Sequence, residues 1–305
     1  MKSLVSKLGE RHMIQTDDVH KILTILPAYN VANIIGRVLE EMGDILDNVL
    51  VIDDGSSDNT YEVLRGYKVK TIRHTKNLGV SFSIREGIEY ALHNGYHYVI
   101  TMDSDGQHDP IFLDEFIEKL YSCELVCGNR FNSFGGIPIS KLSSNTFASS
   151  VLLSLFNTYI PDACCGFKGF RINKDLLDYL DKSTDYSIVY DILLYAIKNG
   201  LKIDFVNMQA IYFSTEMWIT RLKEIESFFQ AINRTKANNS TLLYIIENCN
   251  QHNNFTVSVS SVEYSFFYLN DYGSYIIQAD YNSIINYHKD LRKQPDVIKY
   301  YNSSL

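Results

Sequence analysis

Two acidic clusters carry most of the chemistry the sequence offers: Asp53-Asp54-Gly55-Ser56-Ser57-Asp58 and Asp103-Ser104-Asp105-Gly106-Gln107-His108. Each directly follows a short apolar run. Two carboxylates one residue apart at a strand end, with Gln107 and His108 just beyond, make a hard-cation site with open coordination positions. Such a site suits Mg²⁺ or Mn²⁺ carrying a diphosphate, because the metal bridges an acidic rim and an anionic ligand and stabilises charge building on a departing phosphate. The alternative is that Asp103 and Asp105 only terminate a strand and cap a turn, where Asp is common. Asp191 raises a separate question. It lies in SIVYDILLYAIKNG, one helical turn from Ile188 and Tyr195, and a carboxylate on an otherwise apolar helix face calls for a reason. Its place in the first turns, where the helix dipole favours an anion, supplies one.

These residues need elements to hold them. Up to about residue 206 the sequence repeats an apolar run, a polar turn and a segment of helical periodicity, the pattern of an α/β fold on a largely parallel sheet. Strands are predicted at Lys21–Leu26, Asn48–Ile52, Val69–Arg73, His97–Met102 and Glu124–Cys127, and helices at Val31–Met42, Asn59–Gly66, Val80–His93 and Pro110–Leu120. Asp58 or Asn59 can cap the second helix, and Asp109 followed by Pro110 gives the fourth an N-cap and an N1 proline. In such folds ligands bind beyond the carboxyl ends of the strands. There the sequence places Pro27-Ala28-Tyr29-Asn30 and both acidic clusters. Residues 140–159 read as a helix with an apolar face that suits peripheral contact with a membrane surface. After Ser214 the pattern changes: 221–249 reads as two helices broken near 237–240, and 255–279 alternates like strands. The expected organisation is 1–214 as one domain and 215–305 as a small α+β appendage.

The chain has 305 residues, 46% of them hydrophobic, enough for a substantial core. Its formal net charge of −8 has the wrong sign for a nucleic-acid binder. No apolar run reaches the roughly 18 residues that span a bilayer, and the first twenty residues lack a secretory h-region; a soluble, cytoplasmic protein is expected. The five cysteines, Cys123, Cys127, Cys164, Cys165 and Cys249, lack CxxC spacing and read as reduced thiols.

The ordered blocks PAYN, VIDDGSSDNT, NLGVSFSIREG, MDSDGQHDP, GNRF and CCGFKGF resemble the nucleotide-sugar-binding core of family 2 glycosyltransferases with the GT-A fold. The DGQH ending and the CGFKGF block are most similar to the dolichyl- and polyprenyl-phosphate mannosyl- and glucosyltransferase branch. The resemblance covers about residues 20–215. It implies that Pro27, Ala28, Tyr29 and Asn30 form the first nucleotide loop, and that one of Asp53 and Asp54, with Asp54 favoured, accepts from the base. It further implies that Asn77, Gly79 and Arg85 belong to the block between the third and fourth strands, where Arg85 contacts ribose or phosphate or is an ordinary exposed helical arginine. Asp103, Ser104, Asp105 and Gln107 match the metal and diphosphate motif, and Arg130 matches a basic residue facing the donor sugar or the acceptor phosphate. Lys168 and Arg171 are cations available for a phosphate or for a solvated strand end. Asp191 lies where the family places its catalytic carboxylate. Two positions depart from the pattern: Val31 stands where an acid often follows the Asn, and Leu193 where a second acid is usual.

The resemblance thus implies an inverting, metal-dependent transfer of a sugar from a nucleoside diphosphate, most often UDP, to a polyprenyl (lipid) phosphate or a glycan hydroxyl. A hydroxyl acceptor would need Asp191 as general base; a phosphate is already ionised and needs none. Residues 215–305, with Trp218, would serve as an acceptor platform or a homo-oligomer contact. The alternative is a noncatalytic nucleotide-sugar or glycan-binding subunit, separable by turnover. A nicotinamide oxidoreductase would share the α/β pattern, but the first strand is followed by PAYN and not by GxGxxG, which argues against it.

Overall fold

The computed structural model describes residues 22–132, 137–211, 224–235, 245, 248, 251, 254–260, 262–269 and 274–292. The apolar run ILTILPA becomes β1 (Ile22–Ala28), buried along almost its whole length, as a strand flanked on both sides must be. It pairs in parallel with β2 (Val49–Asp53) and with β4 (Tyr98–Thr101), and β3 (Lys70–Arg73) continues the parallel set beyond β2. Registers Ala28↔Asp53 and Asp53↔Arg73 bring the carboxyl ends of three strands level. β6 (Lys168–Arg171) runs antiparallel to β4. With β5 (Leu125–Asn129) and β7 (Ile203–Asn207) the sheet has seven strands in the order β3-β2-β1-β4-β6-β5-β7. The predicted α/β class with a mostly parallel sheet is what forms; β6 and β7 are strands the sequence pattern did not mark.

The helices follow the predicted order. α1 (Ile35–Met42) buries Ile35, Val38, Leu39 and Met42, an i, i+3, i+4, i+7 stripe. It starts four residues later than predicted because the Val31 and Ala32 N–H groups donate across to Thr60 Oγ1 and Asp58 Oδ2, at 2.9 and 3.1 Å. α2 (Thr60–Leu64) is shorter than its prediction, whereas α3 (Val80–His93) matches it. A 3₁₀ turn at Pro110–Phe112 leads into α4 (Leu113–Leu120), with the Asp109 carboxylate accepting from Ile111 N at 2.9 Å as an N-cap.

Contacts divide the chain into two compact units, at boundaries other than residue 214. One comprises residues up to Val126 together with Gly166–Lys182; the other comprises Cys127–Cys165 and residues from Ser183 onward. The first holds β1–β4, β6 and α1–α4, and also α6 (Lys174–Leu180), capped by Asn173 Oδ1 on Leu176 N at 2.8 Å.

The second unit contains α5 (Ile139–Phe156), α7 (Ser187–Lys198), α8 (Glu224–Arg234), the antiparallel sheet of β8 (Phe255–Val259), β9 (Val262–Leu269) and β10 (Ser274–Gln278), and α9 (Tyr281–Arg292). Its centre is Phe147, met edge-to-face by Phe228, Phe229, Tyr264 and Phe266 with ring centroids 5.2–6.3 Å apart. Leu142, Ala148, Val151 and Leu152 of α5 are also buried, Leu142 in a cluster with Phe131, Ile137 and Ile284. Leu153, Leu155 and Phe156, later in the same segment, are half-buried. Among the described residues no helix is long and apolar enough to cross a membrane. Cys123, Cys127 and Cys165 are buried, and Cys164 is half-buried. Lys21, Trp218, Cys249 and the break predicted near 237–240 lie outside the described residues.

Candidate active site

The loops after β1 and β2 are laced together by short polar side chains. Asn30 adopts a left-handed conformation (φ 54°) that turns its side-chain oxygen to accept from Ser57 N at 2.8 Å and Asp58 N at 3.3 Å, while its own N–H donates to Ser56 Oγ at 3.0 Å. Partial burial works to raise the Asp58 pKa, but bonds from Thr60 and from the Ala32 N–H outweigh it and hold the carboxyl below the ordinary range. Pro27 and Ala28 end β1, and Tyr29 projects from this laced platform with 48% of its surface exposed, an aromatic face open to a ligand.

Asp53 and Asp54 are both buried and do different work. Asp53 Oδ1 accepts from Ser56 N at 3.0 Å, and Oδ2 faces Arg73 Nε at 3.2 Å; Arg73 in turn lies 4.2 Å over the Tyr61 ring. Asp54 accepts from Leu78 N and Gly79 N, each at 2.8 Å, so its carboxylate fixes the Asn77-Leu78-Gly79 turn that opens α3. The same carboxylate lies 2.7 Å from His74 Nδ1, and the other ring nitrogen lies 2.7 Å from Glu86 Oε2. Gly55 makes the close approach of these loops feasible: at φ 71° a Cβ there would sit 2.3 Å from the Lys76 carbonyl carbon. Arg85, one turn into α3, pairs with Asp181 at 2.8 Å.

Beyond β4, Ser104 Oγ donates to Pro27 O at 2.6 Å and ties the DSDGQH loop to the first loop. Gln107 donates twice to Asp105, from N to Oδ1 and from Nε2 to Oδ2, each at 3.0 Å. The buried His108 ring accepts from Asp103 N at 3.0 Å, so the loop is braced from both ends. The Asp103 side chain is 39% exposed, and Gly166 packs against it: a Cβ on that glycine would come within 3.0–3.3 Å of the carboxylate atoms. Among the described residues no cluster of three or more acidic, His or Cys side chains could hold a metal by itself. Two carboxylates with neighbouring positions left to ligand and water fit a hard cation that arrives with a diphosphate, and do not fit a closed structural site. Lys168, in β6, is 1% exposed, and its carbonyl receives a bond from Thr101 Oγ1 at 3.4 Å.

Arg130 and Asp191 belong to the second unit. Arg130 makes a buried fork with Asp162: Nε to Oδ2 at 2.7 Å, Nη2 to Oδ1 at 3.0 Å, and its own backbone N to Oδ2 at 3.1 Å. Next to it, Asn129 Nδ2 donates to Asn207 Oδ1 at 2.8 Å, and Asn145 Oδ1 accepts from Cys164 N at 3.1 Å, fixing the start of the CCGF block. Asp191, 1% exposed, accepts from Ser183 Oγ at 2.7 Å and Ser187 Oγ at 3.0 Å, and from Arg234 Nη2 at 2.6 Å. The carboxylate on this apolar face thus takes part in an ion pair, with Arg234 partly exposed, that joins α7 to α8. His74, Glu86, Asp162, Ser183 and Arg234 were not among the residues the sequence singled out.

The model of glycosyl transferase family 2 matches residues 24–177. A UDP-N-acetylglucosamine--dolichyl-phosphate N-acetylglucosaminyltransferase from Methanococcus voltae is 30% identical over 217 residues, 63% of this chain and 86% of that protein. A polyprenol monophosphomannose synthase from Mycolicibacterium smegmatis is 24% identical over 238 residues, 70% of this chain and 88% of its own. Among solved structures, glucosyl-3-phosphoglycerate synthase from Mycobacterium tuberculosis, in complex with Mn²⁺, UDP and phosphoglyceric acid, superposes with a TM-score of 0.59 at 16% identity, covering 86% of this chain and 92% of the other. That likeness is one of fold, and the fold is GT-A.

Proposed function

The chain belongs to glycosyl transferase family 2, and from that premise we propose that it transfers a sugar from a UDP-sugar to a polyprenyl phosphate, with inversion and with a divalent cation held at Asp103 and Asp105. The observation that carries this reading is the Asp103–Asp105 pair, braced by His108 and Gln107 and tied through Ser104 to the PAYN loop. UDP is favoured over GDP because the Methanococcus relative is named for a UDP-sugar and the Mycobacterium structure binds UDP. The polyprenyl phosphate acceptor is favoured because relatives named for dolichyl-, polyprenol- and undecaprenyl-phosphate substrates match most of their own length.

Tyr29 offers its exposed ring to the base, and the Asn30 platform sets the height of that ring. Asp103 and Asp105 would hold Mg²⁺ or Mn²⁺, which supplies charge neutralisation for the departing diphosphate. An acceptor phosphate oxygen attacks the anomeric carbon; the bond from that carbon to the diphosphate oxygen breaks, and its electron pair leaves with UDP. A phosphate nucleophile is already ionised, so no base must take a proton. The surroundings of Asp191 support that choice, since both its oxygens are engaged by Arg234 and the serines; its part in the proposal is to hold α7 and α8 together. Arg130 keeps a fixed orientation through Asp162 and is the cation proposed to face the acceptor phosphate.

The test is calorimetric titration of UDP- and GDP-sugars, with Mn²⁺ or EDTA, into wild type and Asp105→Ala, followed by a UDP-release assay with polyprenyl phosphate in detergent. Expected are Mn²⁺-dependent binding of a UDP-sugar, weakened about tenfold or more (~1.4 kcal/mol) in the variant, and UDP release that needs the lipid phosphate. Binding without turnover would assign a donor-holding subunit; no binding by folded protein would overturn the reading.

A further inference from the structure

Two consecutive residues at the end of β3 meet two consecutive acids at the end of β2. Arg73 answers Asp53, and His74 answers Asp54, with His74 N also donating to Asp53 O at 2.9 Å. His74 differs from an ordinary strand-end histidine in that a second carboxylate, Glu86 from α3, closes on its other nitrogen at 2.7 Å. Phe82, one turn earlier on α3, covers the ring edge-on with centroids 5.4 Å apart. The side chain is only 5% exposed. Carboxylates accept and do not donate, so both contacts are hydrogen bonds only when both ring nitrogens carry protons. A neutral ring would set a lone pair against one carboxylate at 2.7 Å.

We propose that His74 is a positioning residue for the donor, a doubly protonated clamp that locks the Asp54 carboxylate onto the Leu78 and Gly79 amides, so that the 77–79 turn loosens and donor affinity falls when the ring loses a proton. The clamp rests on geometry alone; its consequence for the donor rests on the proposed transferase function, because the 77–79 turn matters there as part of the nucleotide site. The charged groups facing the ring are Asp54 from the end of β2 and Glu86 from α3; on α3, Arg85 is turned to Asp181. Burial alone would lower the His74 pKa, but the bonds and charges of Glu86 and Asp54 outweigh it and hold the imidazole above the ordinary histidine range. For a raised pKa the sign is fixed. The contribution is complete below about pH 6.5, the unperturbed histidine value, and is lost as pH rises through the higher folded-state value.

The experiment uses the full chain labelled with ¹⁵N at histidine, with His74→Gln identifying its resonances, and Glu86→Gln as the milder variant because Glu86 is a third exposed. The expected ring midpoint lies above the unperturbed value of about 6.5 and moves down in Glu86→Gln. The protection factors of the Leu78 and Gly79 amides, that is, their exchange rates corrected for the intrinsic base-catalysed rise with pH, are high below that midpoint and fall above it. UDP affinity, measured calorimetrically with Mn²⁺, falls on the order of tenfold over the same range, about what one hydrogen bond is worth. The fall comes at lower pH in Glu86→Gln, and the titration of UDP itself is common to both proteins and cancels. A midpoint at or below the unperturbed value, or amide protection factors indifferent to it, overturns the clamp. A clamp that titrates as expected while UDP affinity follows the same pH profile in both proteins overturns its role in donor binding. Failure of wild type to bind UDP at any pH counts against the transferase reading instead, and the resonance and exchange measurements still decide the clamp.

Discussion

Replacing Asp162 by Ala should be among the most destabilising single changes in the second unit. Asp162 is fully buried and accepts from Arg130 three times, through Nε at 2.7 Å, Nη2 at 3.0 Å and the backbone N at 3.1 Å. Hydrogen bonds to charged groups contribute about 1.5–3 kcal/mol each, and the three are not additive because they share one acceptor group. The larger effect is the buried guanidinium left without a counter-charge, for which loss of one partner costs roughly 3–5 kcal/mol. The expected destabilisation is therefore about 4 kcal/mol for Asp162→Ala and about half of that for Asp162→Asn, which keeps one acceptor oxygen. Replacing both partners, as Arg130→Met with Asp162→Leu, should recover most of the loss, since apolar substitutes for a buried pair are often neutral in stability. Urea unfolding followed by far-ultraviolet circular dichroism measures all three. An Asp162→Ala variant within about 1 kcal/mol of wild type, or a double variant no more stable than the single one, would refute the reasoning. Because Arg130 is the cation proposed to face the acceptor, the double variant should regain stability without regaining turnover.

Two further outcomes are expected around the donor site. Gly166→Ala places a methyl group within 3.0–3.3 Å of the Asp103 carboxylate, so Mn²⁺-dependent UDP affinity should fall several-fold, about 1 kcal/mol, with Tm nearly unchanged; calorimetry showing unaltered affinity would sink it. Gly55→Ala combines a φ of 71° with a Cβ 2.3 Å from backbone that has no room to yield. Strain of about 1–2 kcal/mol from the left-handed conformation adds to the displacement of the 76–77 segment, and thermal unfolding should show a clear loss of stability together with loss of UDP binding.

What the sequence disclosed depended on whether a feature was local. α3 was legible to the residue because Gly79 and Asn94-Gly95 punctuate both of its ends, and Asp109-Pro110 announced the next helix in the same way. Strands β1, β2 and β5 were placed correctly but run one or two residues further toward the site than their apolar runs suggest, because polar ends such as Asp53 and Asn129 still join the ladder. β6 escaped notice since its four residues, KGFR, carry no strand pattern and form a strand only between β4 and β5. The donor-side acids were visible from their types and spacing. Their partners were not: Asp162 lies 32 positions from Arg130, and Arg234 lies 43 from Asp191, separations at which no local periodicity carries a signal. His74 was the near miss, a titratable residue directly after a predicted strand on the same rim as both acidic clusters.

The return of Gly166–Lys182 to the first unit has a consequence for how this chain is made. β4 reaches its antiparallel partner across 67 residues, as between Thr101 and Lys168, and the intervening segment 127–165 belongs to the other unit. During synthesis β1 to β4 can assemble as soon as they emerge, but the outer edge of β4 then carries unpaired backbone groups and apolar Val99 and Ile100 until β6 arrives. Loop closure makes the long return only modestly more costly than a short one, since each doubling of length adds about 0.6 kcal/mol. The delay matters more, because an open apolar edge is a template for pairing with another chain. A chain that has exposed β4 but not yet β6 would thus display an open apolar edge, and that edge closes only with the four residues of β6.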